Sequence, residues 1–423
     1  MEQQSYWWKR ALIYELYIDK FADDLRGLTV RLDYFTALGV NTLHLLPHYP
    51  SPMVDDGYDV SDYRGVRPEL GTLDDFTNCL QEAHHRGIRV IVDLVLNHVS
   101  AEHPWFVEAC SSRDNPKRDF FLWDEYGEHL KDSVNAFPDF KPSNWIWNKA
   151  TNDYYYATFY PKQPDLNWDN PRVTEEMLAI MDFWIARGVD GFRLDAASHL
   201  IKRDGTASVG LPETHRVLKE IRARLDQTHP DTILVAEAHQ PVALMKTYFG
   251  VGDECHMVYH FPLAEQFWLA LKRHDIRLVQ TAVEQSFEIH ESCQWATFLR
   301  NHDEISLAAL GAKEKAELNN FFDPEHRYPF KRVDASSVRM ATIFKNDPKR
   351  MAEAFALLYQ TQGSPIMYYG DEIGMENLPL DPAIKDTRKY VRGKFDWEEV
   401  ERQMADPTSL WNKVATVIKS RAC

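Results

Sequence analysis

Cysteine is scarce in this 423-residue chain: Cys79, Cys110, Cys255, Cys293 and Cys423 are scattered, odd in number and never spaced C-x-x-C. That argues against a disulfide framework or a cysteine zinc cluster and fits a reducing compartment. No run of about 18 apolar residues occurs, so no segment is expected to cross a membrane. The opening stretch MEQQSYWWKRALIYELYIDKF has charges interrupting its apolar positions and lacks the core of a secretory leader. A soluble, cytoplasmic protein is expected. Basic residues are outnumbered, 48 Lys and Arg against 64 Asp and Glu, and the net charge of −16 argues against a nucleic-acid partner. A glycine-rich phosphate loop is also missing, which speaks against an open, doubly wound sheet.

What is present is an ordinary globular composition, 44% apolar, with aromatics at 13% that weakly favour a carbohydrate ligand. Short apolar runs alternate with longer helical patterns. Strands are expected over Ala11–Ile18, Val40–Leu46, Ile88–Leu96, Val189–Leu194, Thr232–Ala236, Met257–Phe261, Trp295–Leu299 and Ile366–Tyr369. Helices are expected over Leu28–Leu38, Leu73–Arg86, Val173–Arg187 and Glu213–Gln227, and the stripe in SLWNKVATVIK marks a last one. Eight such units point to a (β/α)8 barrel, an α/β fold of the TIM type. From about residue 100 to 165 the alternation gives way to Asp, Asn, Pro and aromatics, which is too long for a simple loop. The expected organisation is therefore residues 1–99 as the first part of the barrel, 100–165 as an inserted subdomain after the third strand, and 166–423 as the rest of the barrel.

On a barrel, chemistry is built at the C-terminal ends of the strands. The third strand ends in DLVLNH, bringing Asn97 and His98. The fourth ends in GFRLDA, with Arg193 and Asp195 two apart and so on one face. The fifth ends in VAEA with Glu237, and the seventh in LRNHDE with His302 and Asp303. Carboxylates at three strand ends repel one another, so bringing them together needs a functional reason. Glycoside cleavage with retention supplies one, because it uses a nucleophilic carboxylate and a proton donor about 5–5.5 Å apart. Arg193 is expected to hold Asp195 ionised, while Glu237, following the apolar ILVA, has the buried, like-charged setting of a general acid.

With QPDLNW (Gln163–Trp168) and GSPIMYYGDEIG (Gly363–Gly374) added, six blocks stand in the order found in the α-amylase superfamily, glycoside hydrolase family 13, which the chain resembles over nearly its whole length. The resemblance implies Asp195 as nucleophile, Glu237 as acid/base and Asp303 as transition-state stabiliser, with His98 and His302 on sugar hydroxyls. No cofactor is implied, and the partner is a small α-glucoside. QPDLNW is similar to the branch containing oligo-1,6-glucosidases and trehalose synthases. LLPHYPSPMVDDGYDVSDY, GTLDDF, HPWF, SNWIWN and GDECHM look most like the trehalose synthase group. By the same resemblance Tyr58 stacks beneath the glucose, and Asp59 pairs with Arg392 to close the pocket around one terminal sugar.

Four features depart from the family pattern. KFADDLRGL lacks the aspartate-rich cation loop common in these relatives. Lys202, seven residues past Asp195, stands where calcium-binding relatives carry a carboxylate. It is expected to neutralise Asp165 in place of a metal, with Asn97 and Asp165 as the ligands if calcium binds instead. The chain is expected to lack the C-terminal β-sandwich of the family. Arg392 opens RGKFDW where relatives read RTPMQW, and because those middle positions help shape the acceptor side, the leaving group or acceptor stays open. Hydrolysis, isomerisation and transfer to another acceptor all remain open, and the alternative of a different kind is a non-catalytic sugar- or partner-binding barrel.

Overall fold

A computed structural model describes residues 6–330 and 335–422, and Cys423 lies outside the described residues. Strands β1 (Ile13–Leu16), β2 (Thr42–Leu45) and β3 (Arg89–Val95) begin a barrel. The chain then leaves it to build a small antiparallel sheet from β4 (Trp123–Asp124), β5 (Trp145–Asn148) and β6 (Asp153–Tyr156). Strands β7 (Gly191–Asp195), β8 (Ile233–Ala236), β9 (Met257–Tyr259) and β10 (Gln294–Phe298) resume the barrel. A second antiparallel sheet, β11 (Ile305–Ser306), β12 (Pro329–Phe330) and β13 (Ala335–Ser336), precedes the closing strand β14 (Ser364–Tyr368). The barrel runs β1-β14-β10-β9-β8-β7-β3-β2, with every neighbouring pair parallel.

The helices that face it are amphipathic. In α1 (Leu73–His85) Phe76, Cys79, Leu80 and Ala83 are buried, spaced three and four apart, and Thr72 and Asp75 form a reciprocal capping box at its start. Asn170 caps α2 (Pro171–Ile185), with proline in the first turn where no amide is needed. Farther along come α3 (Pro212–Thr228), α4 (Phe261–Arg273) and α5 (Leu410–Ala422). Several expected boundaries shift, and Phe261, expected to end a strand, opens α4 instead. Ile18 starts a short helix rather than ending a strand, and Leu28–Leu38 falls across two helices, Leu25–Val30 and Leu32–Leu38, that meet at Arg31. Cys79, Cys110, Cys255 and Cys293 are all free thiols. Among the described residues no helix is long and apolar enough to cross a membrane.

The alternation of the strands divides the barrel interior by height. Ile13, Ile91, Ile233, Met257, Ala296 and Ile366 pack into an apolar cluster with Trp8 and Ala11. Gly191 sits level with Ile91 and Ile233, and a Cβ there would lie 2.5 Å from Ile233 Cγ1, so only glycine fits. Two residues farther along, the same faces of the strands carry Glu15, Asp93 and Arg193. The apolar plug thus ends where an ionic layer begins.

Candidate active site

That ionic layer is a closed circuit of buried groups. Arg193, 1% exposed, places Nη1 on Asp93 and, at 2.8 Å, on Asp195 Oδ1, while Nη2 lies 2.9 Å from Glu237 Oε1. His44 bridges Glu15 and Asp93, 3.1 Å from each. His302 lies 3.1 Å from Glu15 Oε1 through Nδ1, and its Nε2 is 2.7 Å from Tyr58 Oη and 3.2 Å from Asp303 Oδ2. Burial alone would lower the His302 pKa, but Asp303 and Glu15 on either side raise it to about 10, so the ring is an imidazolium. Glu15 and Asp93 resist the same burial penalty. His302 and His44 hold Glu15 well below the usual carboxylate range, and Arg193 with His44 lowers Asp93.

Above this layer lies a cavity of about 150 Å³. Asp195, Glu237 and Asp303 all line it, with 12%, 19% and 22% of their side chains exposed, whereas Glu15 and Asp93 are fully covered. This separates the carboxylates that can meet a ligand from those that support them. The backbone helps to orient the pair. Ala196, directly after Asp195, adopts a left-handed conformation (φ 46°) rare for a residue with a side chain, and its N–H donates to Glu237 Oε2 at 3.1 Å. Tyr58 and His98 also line the cavity. Burial lowers the His98 pKa to about 4, so the ring is neutral, and its Nε2 has no protein partner.

The electrostatics correct one expectation. Burial pushes the Asp195 carboxyl up, and Glu237, Asp93 and Asp303 push it further in the same direction. Arg193 opposes this, but its one charge is shared among Asp93, Asp195 and Glu237. The guanidinium therefore aims the carboxylate without alone keeping it ionised. Asp303 differs: despite burial, His302, Arg388 and Arg392 hold it well below the usual range.

A second correction concerns the outer wall. The expected contact between Asp59 and Arg392 is not formed. Asp59 is fully buried and turned into its own loop, accepting from Ser51 Oγ and Val54 N at 2.9 Å and from Asp55 N at 3.1 Å. Arg392 instead binds Asp56, Asp303 Oδ1 at 2.8 Å and the His302 carbonyl at 3.1 Å. Asp55 and Arg388 line the cavity in their place, with Arg388 Nη2 on Asp55 Oδ1 at 2.8 Å and Nη1 on Asp303 Oδ1 at 3.2 Å. Asp386 anchors the same guanidinium at 2.7 Å. His302, expected on a sugar hydroxyl, has both ring nitrogens engaged by protein and does not line the cavity. No spacing pattern marks Glu15 and His44, which come together only when the strands close. Phe137 and Phe159 bring aromatic walls from the inserted segment.

Below and to one side, Lys202 Nζ lies 2.6 Å from Asn97 Oδ1, 2.6 Å from the His199 carbonyl and 2.7 Å from Asp165 Oδ2. Three oxygens converging on one ammonium is the arrangement a hard cation would also attract. The charge ties the end of β3 to the segment that returns from the insertion, where His98 and Asp165 are bridged backbone to backbone.

Residues 16–322 match the family described as alpha amylase, catalytic domain. The chain is 41% identical over 389 residues to a trehalose synthase of Pimelobacter, an alignment covering 88% of this chain and 68% of that protein. It is 33% identical over 441 residues to an oligo-1,6-glucosidase of Parageobacillus thermoglucosidasius, covering 96% and 72%. Among solved structures, an alpha-glucosyl transfer enzyme, XgtA, superposes with a TM-score of 0.80 at 26% identity, covering 99% of this chain and 84% of that one.

Proposed function

As a member of the α-amylase family this chain is an enzyme acting on α-glucosides, and we propose that it is a retaining α-glucosidase and transglucosidase taking one terminal glucosyl unit, with trehalose synthase-like chemistry. The observation that carries this reading is the joint lining of one small cavity by Asp195, Glu237, Asp303 and the Asp55–Arg388 pair. Its volume of about 150 Å³ is below the range of roughly 300 Å³ and up for drug-sized ligands, which suits a single sugar ring.

In this mechanism Asp195 attacks the anomeric carbon while Glu237 gives its proton to the departing glycosidic oxygen, leaving a β-glucosyl ester on Asp195. Glu237 then takes a proton from water or an acceptor hydroxyl, which attacks the same carbon and restores the α configuration. One guanidinium touching both carboxylates supports the short separation of a retaining pair, about 5–5.5 Å. Asp303, kept ionised, stabilises the positive charge that develops on the sugar ring. His98 Nε2 and the Asp55–Arg388 pair take hydroxyls of the terminal glucose. Lys202 does the work of a structural cation, so neither catalysis nor stability needs calcium.

A narrower reading, hydrolysis of maltose-, sucrose- or isomaltose-type substrates without isomerisation, draws on GKFDW following Arg392 on the acceptor side. Separate incubations with maltose, trehalose, sucrose and isomaltose, followed by NMR of the products, distinguish the two. Interconversion of maltose and trehalose supports the transfer reading. Release of α-glucose alone supports the hydrolytic one, and action on none of the four contradicts both.

A further inference from the structure

Between β4 and β5 the chain forms no helix or strand, and several of its side chains stand in solvent, Val134 among them at 42% exposed. Lys141 breaks that pattern. It is 3% exposed, and its Nζ donates to Asn135 Oδ1 at 3.0 Å and to Asn144 Oδ1. Burial lowers its pKa to about 8 against the pull of Asp165, so at neutral pH the group is an ammonium. Taking that charge out of water is costly, and a methionine of similar length would fill the space without the cost. A charge kept there needs a reason beyond packing.

The contacts around the ammonium close a ring. Asn135 Nδ2 donates to the Lys141 carbonyl at 3.0 Å, and Asn135 Oδ1 also accepts from Phe137 N at 3.2 Å. On the other side Asn144 Nδ2 donates at 2.9 Å to the hydroxyl of Tyr156, the last residue of β6. Lys141 thus fastens the turn 135–141 to the small sheet. What the turn carries is Phe137, which lines the catalytic cavity, whereas Lys141 does not. The Phe137 ring lies 5.0 Å from that of Tyr160, and the Arg388 guanidinium sits 5.0 Å from its centroid. Phe330 meets the same guanidinium at 5.1 Å. Arg388 therefore rests on two aromatic rings while its nitrogens reach Asp55, Asp303 and Asp386. We propose that Lys141 is a positioning residue for the glucose pocket: by tying Asn135 to Asn144 it seats Phe137 against Arg388, and so fixes the guanidinium that joins Asp55 and Asp303. This role rests on the α-glucoside reading of that pocket and adds to it a residue that touches no substrate.

Steady-state kinetics with α-glucosyl fluoride at neutral pH test it. Lys141→Met is expected to raise KM at least about fivefold while kcat changes by less than about twofold, and Phe137→Ala to do the same. Because Lys141 acts through Phe137, the variant carrying both substitutions should be no worse than Phe137→Ala alone. A Lys141→Met protein that melts earlier at unchanged KM overturns the proposal, as does a double variant whose KM rise is the product of the two single ones. Should Lys141→Met fail to fold, Asn135→Ala, at a half-buried position, takes its place with the same expected results. Hydrogen exchange separates this inference from the catalytic assignment. Loss of the tie should speed exchange over residues 135–141 at least about tenfold. Unchanged exchange there overturns the proposal even in a protein that turns over no glucoside. Faster exchange in the variant of a parent inactive on the fluoride would contradict the catalytic assignment while supporting the tie.

Discussion

Arg388 Nη2 donates to Asp55 Oδ1 at 2.8 Å while its Nη1 reaches Asp303 Oδ1 at 3.2 Å, so one guanidinium links two carboxylates of the cavity wall. Both of its partners line the cavity and are buried or nearly so. Removing Asp55 would leave Arg388 short of one counter-charge and remove a hydroxyl acceptor. Asp55→Ala is expected to lose about 2–5 kcal/mol of transition-state stabilisation, read as a fall in kcat/KM for short glucosides. Asp59→Ala should instead lower the melting temperature, because it removes three hydrogen bonds that shape the loop. If Asp59→Ala has the larger effect on kcat/KM at unchanged stability, the assignment of the wall is wrong.

Lys202 gives a prediction about metal dependence. Lys202→Met leaves Asp165 buried without its cation, at a cost of about 3–5 kcal/mol, which denaturant unfolding would register. The unaltered protein should keep its activity and melting temperature in strong chelator. A melting temperature that falls on chelation and returns with calcium contradicts the substitution of an ammonium for a metal.

The two histidines respond to pH with opposite sign. His302 has a folded pKa near 10, above the usual 6.5, so its stabilising contribution is complete below about 6.5 and is lost as pH rises through about 10. His98 has a folded pKa near 4, so the unfolded chain takes up a proton first and stability falls as pH drops from about 6.5 toward 4. Denaturation curves of His302→Gln should be flatter than the parent between pH 7 and 10, and those of His98→Gln flatter between pH 6.5 and 4. Parallel curves for parent and variant in either window would refute the corresponding protonation state.

The barrel was legible because its strands are continuous Ile, Val and Leu runs, as in DLVLNH and ILVA, and because such runs are buried on both faces. Strand-end position then carried Asp195, Glu237 and Asp303 to one cavity. Two kinds of feature were not legible. In DDGYD, Asp55, Asp56 and Asp59 all stand within four residues of Tyr58, and only the path of the loop decides that Asp55 faces the cavity while Asp59 caps the turn. The same holds for Arg388 and Arg392, four apart on one short helical turn and its cap. The second kind is long-range. Glu15 looks like an isolated polar residue in a strand until β1 closes beside β2 and β14, when it becomes the counter-charge of His302. The two-residue strands β11 and β13 carry no period at all, so their sheet could not be read from pattern.

The proposed mechanism requires that Asp195 becomes covalently glucosylated. Glu237→Gln should be mixed with α-glucosyl fluoride, whose leaving group needs no proton, and examined by intact-mass and peptide mass spectrometry. One added glucosyl residue should accumulate, mapped to Asp195, and be lost when azide is supplied, with α-glucosyl azide as product. Release of β-glucose or β-glucosyl azide without an adduct, or an adduct on any other residue, would contradict it.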